Sequence, residues 1–323
     1  TIEKLNLLLE ESIVNNFGKD GCFMTNFQKG YKKFTEFIDK TDLIPNDRNK
    51  VIVAYSGGKD ASLICDFLCE YKKNKRPDLD IEMVTAEFPH FLYDNPNAEV
   101  KQKINQAVSY WKERGISFHK LDVKNEFSDA ILNVDSPCRI CSLTKTTILS
   151  KFARSSENKH SIFCMGFNLD DSLGWFIEIL LLTGNFKNWM EVQKENSKLY
   201  HELLMLSTRI SHRIYSKSND VLFIRPIINF TNDEIAEITA ERNLPLIPEN
   251  CKEITKRDVF YDSPRRDIAN VLAVMRKKHF IDFTKEENPL YDSYFESCRF
   301  FQYSNLIPPQ NELNSFMSDN LMI

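Results

Sequence analysis

Apolar positions along the chain fall into two alternating spacings. Over residues 1–48, Ile2, Leu5, Leu8, Leu9 and Ile13, then Phe27, Tyr31, Phe34, Phe37 and Ile38, recur at helical intervals. Gly18, Gly21 and Gly30 interrupt this pattern and Ile44-Pro45-Asn46-Asp47 closes it, which predicts a helical arm. Lys50-Val51-Ile52-Val53-Ala54-Tyr55 then reads as a buried strand, Ser56-Gly57-Gly58-Lys59-Asp60 as a tight loop, and Leu63, Ile64, Phe67 and Leu68 as one face of a helix. The alternation continues with a strand at Asp80–Ala86, a helix over 97–114 stopped at Gly115, and a strand at Ser117–Leu121. A helix over 140–155, a strand at Ser161–Met165, a helix over 171–182, a strand at Val221–Ile224 and a helix over 231–242 follow. Residues 284–323, rich in Asn, Pro, Ser and Phe, show little periodicity and are expected to wrap as a tail.

Strand-helix units repeated at this length imply an α/β fold with a mostly parallel sheet covered by helices on both faces, because parallel neighbours need crossover connections. Ligands are then expected at the carboxyl ends of the strands. The expected division is a helical arm over 1–48, the main domain over 49–280 and an extension over 281–323. The longest apolar runs, Trp175–Leu182 and Val271–Met275, fall far short of the roughly 20 residues that span a bilayer. No membrane partner and a cytoplasmic location are the expectation.

Charge changes the picture of partners. Lys and Arg number 42 against 46 Asp and Glu, a formal charge of −4, so no global field draws in a polyanion. Residues 252–278 are locally basic, with Lys252, Lys256, Arg257, Arg265, Arg266, Arg276, Lys277 and Lys278 against Glu253, Asp258, Asp262 and Asp267. Such a run is a solvated helical face or a phosphate-contacting one. The eight cysteines are spaced too irregularly for a disulfide scaffold, and Cys138-Arg139-Ile140-Cys141 alone has the spacing of a metal site or a redox dithiol.

Three segments carry candidate chemistry. With only 9 Gly in the chain, the pair Gly57-Gly58 is informative. It is either a simple strand-to-helix turn or a cradle in which backbone N–H groups, the hydroxyls of Ser56 and Ser62 and the charge of Lys59 face a phosphate. It does not have the Gly-x-x-x-x-Gly-Lys-Ser/Thr pattern of ordinary P-loop proteins. In Cys164-Met165-Gly166-Phe167-Asn168-Leu169-Asp170-Asp171, the paired carboxylates either cap a helix or bind Mg2+ and position reacting groups.

The loop resembles the Ser-Gly-Gly-x-Asp-Ser signature of the PP-loop ATP pyrophosphatases, with Ala61 in place of the usual serine, and the resemblance covers residues 49–280. It implies that ATP is held by Ala54, Tyr55, Ser56, Gly57, Gly58, Lys59, Asp60 and Ser62, with Thr85 near the adenosine and Gly166 and Asp171 completing the site. It further implies Mg2+ and adenylation of an acceptor oxygen with release of pyrophosphate, with Lys59, Asp60, Asp170 and Asp171 in catalytic roles. Within that family the chain resembles the tRNA 2-thiocytidine sulfurtransferase branch, through Cys138-Arg139-Ile140-Cys141 after the third strand and Cys251 after Phe223-Ile224-Arg225-Pro226-Ile227. This implies that Cys138, Cys141 and Cys251 hold a [4Fe-4S] cluster with an iron open to sulfide, a cysteine persulfide being the other route for sulfur.

The expected acceptor is a small nucleobase-like molecule, a purine such as guanine, with tRNA thiolation as the alternative. Two features favour the small molecule: the acidic total, and Ser142-Leu143-Thr144-Lys145-Thr146-Thr147 where the resembled tRNA enzymes are strongly basic. A noncatalytic nucleotide-sensing or iron-sulfur protein is the reading from another class. The N-terminal helices offer a homodimer interface.

Overall fold

The computed structural model describes residues 24–87, 98–123, 137–247 and 306–319. Helix α1 (Asn26–Thr41) opens with a capping box in which Thr25 Oγ1 accepts from Gln28 N and the Gln28 side chain accepts from Thr25 N. It ends at Asp42, which adopts the left-handed conformation with φ 49°. Its buried face, Phe34, Phe37 and Ile38, joins the main core, with the Phe34 ring 4.9 Å from that of Phe67.

The next units follow the alternation seen in the sequence: β1 (Lys50–Ala54), α2 (Lys59–Asn74), β2 (Asp80–Glu87), α3 (Ala98–Glu113), β3 (Ser117–Asp122), α4 (Pro137–Ala153), β4 (Ile162–Cys164) and α5 (Leu169–Thr183). Two helices and a strand absent from the sequence reading come next, α6 (Trp189–Glu195), α7 (Ser197–Ile210) and β5 (Arg213–Ser216). Then come β6 (Val221–Ile224), α8 (Asn232–Glu241) and α9 (Gln310–Asp319). Part of the expected wrapped tail is therefore a regular helix, held because Phe316, Met317 and Leu313 are buried against α7 and β5.

The six strands form one sheet in the order β3-β2-β1-β4-β6-β5. All neighbours are parallel except β5, which returns antiparallel along β6 with Ile214 opposite Phe223. The mostly parallel α/β architecture expected from the sequence is what the chain adopts. Along β1, Val51 and Val53 point into one buried cluster and Ile52 into the other, so both faces of the sheet are covered. That double burial is why β1, β4 and β6 read as apolar runs.

From β1 the chain winds outward to β2 and β3, then crosses back to place β4 on the other side of β1. The connections leaving the carboxyl ends of β1 and β4 therefore diverge and leave a crevice between them, the place where open α/β sheets bind ligands. Among the described residues, no helix is long and apolar enough to cross a membrane.

Candidate active site

The loop leaving β1 is shaped for an anion. Gly57 has φ +80°, a conformation that disfavours any side chain, and a Cβ there would lie 2.7 Å from Ile247 Cβ. Gly58 is the N-cap of α2 in extended conformation, and no side chain caps the helix. The backbone N–H groups of the first turn of α2 thus end at the crevice, where a helix amino terminus favours negative charge. Ser56 is exposed and its Oγ accepts from Gly58 N at 3.3 Å. Tyr55 continues β1, its N donating to Val84 O, while its ring is buried and its hydroxyl accepts from Trp111 Nε1 at 3.1 Å.

Ser62 does not reach the loop. It is fully buried one turn into α2, and its Oγ donates to Tyr55 Oη at 3.5 Å. Burial lifts the Tyr55 phenol above its usual pKa, so this hydroxyl pair stays neutral inside the core. The hydroxyl that Ala61 lacks is not supplied by its neighbour.

The loop leaving β4 closes against the first. Gly166 permits the approach: a Cβ there would sit 3.3 Å from Asp60 Cβ and 3.4 Å from Ala61 N. Asn168 caps α5 through a capping box, its Oδ1 accepting from Asp171 N at 3.1 Å and Asp171 Oδ2 accepting from Asn168 N at 3.4 Å. Asp171 therefore serves as helix cap, as one of the two readings of the carboxylate pair expected. Asp170, completely buried, turns elsewhere: its Oδ2 accepts from the backbone N of Asn232 at 2.7 Å.

Asn232, the first residue of α8, joins these groups. Its Oδ1 accepts from Lys59 Nζ at 2.6 Å and from Asn168 Nδ2 at 3.0 Å. Asn168 Nδ2 also donates to Asp60 Oδ1 at 3.0 Å, and Lys59 Nζ lies 3.1 Å from the same oxygen. The network draws one ammonium, two carboxylates and two amides from the connections after β1, β4 and β6 to the carboxyl edge of the sheet. Lys59, Asp60 and Asp170 are thus linked through Asn232 and Asn168. Asn232 was not singled out in the sequence, where Thr231-Asn232-Asp233-Glu234 carries only the signature of a helix start.

No protein-family model matches the sequence. Among curated proteins it is similar to the tRNA-cytidine(32) 2-sulfurtransferase 2 of Francisella tularensis, 21% identical over 273 residues that take in 79% of this chain and 96% of that protein. The tRNA-cytidine(32) 2-sulfurtransferase 1 of Francisella philomiragia is 20% identical over 250 residues, 72% of this chain and 85% of its own length. Among solved structures, the U34-tRNA thiolase NcsA from Methanococcus maripaludis with its [4Fe-4S] cluster matches with a TM-score of 0.58 and 18% identity, covering 95% of this chain and 94% of that one. The chain is thus similar in sequence to tRNA sulfurtransferases and in fold to a tRNA thiolase.

The remaining residues expected of a PP-loop thiolation relative are placed as follows. Ala54 ends β1 and Thr85 lies half-buried in β2, in register with Lys120. Positions 138 and 141 lie one turn apart at the start of α4, which packs on β2. Toward the other end of α4, the Phe152 ring lies 5.5 Å from that of His119 in β3. Cys141 is half-buried, whereas the side chain of Cys138 and the whole of Cys251 lie outside the described residues, as does the basic run over 252–278. No group of three His, Cys, Asp or Glu that could hold a metal occurs among the described residues. Ile247, four positions before Cys251, donates its N–H to Gly57 O at 2.9 Å.

Burial raises the thiol pKa of three other cysteines: Cys65 well above its usual value, Cys164 likewise, and Cys69 to about 11. These thiols stay protonated and behave as packing residues, because only the thiolate is a good nucleophile or metal ligand.

Proposed function

We propose that this protein is an ATP-dependent sulfurtransferase that replaces a base carbonyl oxygen of tRNA with sulfur. The observation that carries the reading is the convergence of Lys59, Asp60 and Asp170 beside the uncapped amino terminus of α2, at the point where the strand order reverses. The tRNA acceptor rests on the curated relatives, both named as tRNA sulfurtransferases over most of their lengths. The small nucleobase that the chain's acidity favoured has no comparable support.

In this reading the N–H groups of the Gly57-Gly58 turn and the first turn of α2 hold the pyrophosphate end of ATP, with the Lys59 ammonium offsetting the charge that develops there. Asp60 supplies carboxylate oxygens for Mg2+, an ion bound through one or two carboxylates together with substrate phosphates, while the buried Asp170 holds the backbone of Asn232. The base carbonyl oxygen attacks the α-phosphate, forming a C–O–P bond and releasing pyrophosphate. A sulfur nucleophile then adds at the activated carbon and AMP departs, leaving C=S where C=O stood. Cys138, Cys141 and Cys251 would hold the [4Fe-4S] cluster, which when bound supplies an iron position for sulfur. The adjacent placement of 138 and 141 at the start of α4 and the anchoring of Ile247 on the phosphate loop support this set.

The test is AMP release from ATP by the full chain, reconstituted anaerobically with iron and sulfide and offered unmodified bulk tRNA, free nucleobases or nucleotides in parallel. Stimulation by tRNA, with a thionucleoside in its digest, is the expected result. Stimulation by a free purine or pyrimidine alone would replace tRNA with a small-molecule acceptor, and ATP binding without AMP from any acceptor would leave a nucleotide-binding protein.

A further inference from the structure

We infer that Asn232 is a positioning residue for adenylation, setting the direction of the Lys59 ammonium and joining the loops after β1 and β4 through a single amide. The inference rests on the proposed ATP chemistry, but its geometric content is independent of it. Lys59 is the first residue of α2, where the only intrinsic constraint on its side chain is the rotamer set of a first-turn residue, and a lysine stem has four rotatable bonds. What fixes the ammonium is external: Asn232 Oδ1 at 2.6 Å and Asp60 at 3.1 Å. Asp60 supplies the counter-charge, so what Asn232 contributes is an acceptor oxygen at a fixed place.

The same oxygen accepts a second hydrogen bond, from Asn168 Nδ2 at 3.0 Å, and the backbone N of Asn232 donates to Asp170 Oδ2 at 2.7 Å. One residue therefore makes three contacts with three groups from two other loops. Thr231 holds this residue in place, because its side chain accepts from Glu234 N and Glu234 returns the bond to Thr231 N, a capping box that sets where α8 begins. The backbone contact to Asp170 does not depend on the side chain at 232, so replacing that side chain leaves the carboxylate anchored and loosens only Lys59 and Asn168.

The experiment compares the wild-type full chain with Asn232→Ala and Asn232→Asp, reconstituted alike, in two readouts. The first is AMP formation with tRNA, resolved into kcat and KM for ATP. Removing an acceptor from a charged donor is expected to lower kcat about tenfold to a hundredfold in Asn232→Ala. KM for ATP should stay within about threefold, since the loop amides that bind phosphate are untouched. Asn232→Asp, which keeps an acceptor at the same place, should recover most of the lost rate.

The second readout needs no substrate turnover: acylation of Lys59 by an amine-directed reagent, followed by peptide mass analysis. Untethered Lys59 should react faster in Asn232→Ala than in the wild type, with Asn232→Asp close to the wild type. A wild-type rate of AMP formation in Asn232→Ala, or a loss that Asn232→Asp does not recover, would overturn the inference. If the wild type itself makes no AMP, the adenylation reading fails. The labelling pattern then decides the tether on its own, equal labelling of Lys59 in all three proteins counting against it.

Discussion

Replacing Lys59 with methionine keeps the length of the stem and removes the charge at the crevice. Preorganised charge of this kind is worth about 10²–10³ in rate when removed singly. Lys59→Met is accordingly expected to lower pyrophosphate release by that order while leaving the melting temperature nearly unchanged, since its ion pair with Asp60 is partly exposed and such pairs add little to stability. Gly57→Ala is expected to act on folding as well as on ATP. The left-handed φ costs an alanine about 1–2 kcal/mol, and its Cβ would press on Ile247 at 2.7 Å. Chemical denaturation should show a loss of at least that size, and unchanged stability would contradict the backbone drawn for the loop. At this scale the sequence was readable where chemistry is contiguous: the glycine pair with Lys59 and Asp60, and the run from Gly166 to Asp171. It misled at Ser62, whose hydroxyl was expected to face a phosphate beside Ala61. A helix turns about 100° per residue, so the next position cannot face where its predecessor faced, and it faces Tyr55.

Asn168 is the element-scale hinge of the site, since it caps α5 and also reaches Asp60 and Asn232. Loss of an N-cap costs about 0.5–2 kcal/mol. Asn168→Ala is expected to destabilise the protein by that amount in thermal or chemical unfolding, and to lower AMP formation beyond what lost stability explains. Strands β1, β4 and β6 were legible because each is an apolar run buried on both faces, and β2 and β3 because each is bounded by helical spacing on either side. Strand β5 was not: its inward residues are Ile214 and Ser216 and its outward ones Arg213 and Tyr215, a pattern of four residues with little contrast. Antiparallel return along β6 also needs no helical crossover, so the strand-helix rhythm gave no signal of it. Asn232 was invisible for a related reason. Its position beside Lys59 comes from β6 lying next to β4, and nothing local distinguishes it from the ordinary first residue of a capped helix.

Across the whole molecule, stability should depend on pH through a cluster at the edge of the sheet opposite the site. His160 Nδ1 lies 3.0 Å from Asp220 Oδ2 and its Nε2 lies 2.9 Å from Asp47 O, while Arg48 and the Tyr215 hydroxyl also bond Asp220. The Asp47 carbonyl first, and then the Asp220 carboxylate, raise the His160 pKa above its ordinary value. A raised pKa means that the folded state holds the proton more tightly than the unfolded chain. The added stability is complete below the unfolded value of about 6.5 and fades as pH climbs through the folded value. Comparing wild type with His160→Gln by thermal unfolding, the wild-type advantage should be largest at mildly acidic pH and shrink toward alkaline pH. An advantage that grows with pH would show that the ring is held neutral.

The pairing of Gly57 with Ile247 also sets what variation the two positions can tolerate. Position 57 is restricted twice, by its left-handed backbone and by the side chain pressed against it, and glycine alone meets both demands. Position 247 is restricted through its backbone, whose N–H is bonded to the Gly57 carbonyl, and through a half-buried side chain packed on the main core. Chains descended from the same ancestor should therefore keep glycine at the first position while the second drifts only among apolar side chains, proline excepted, because proline has no N–H to give.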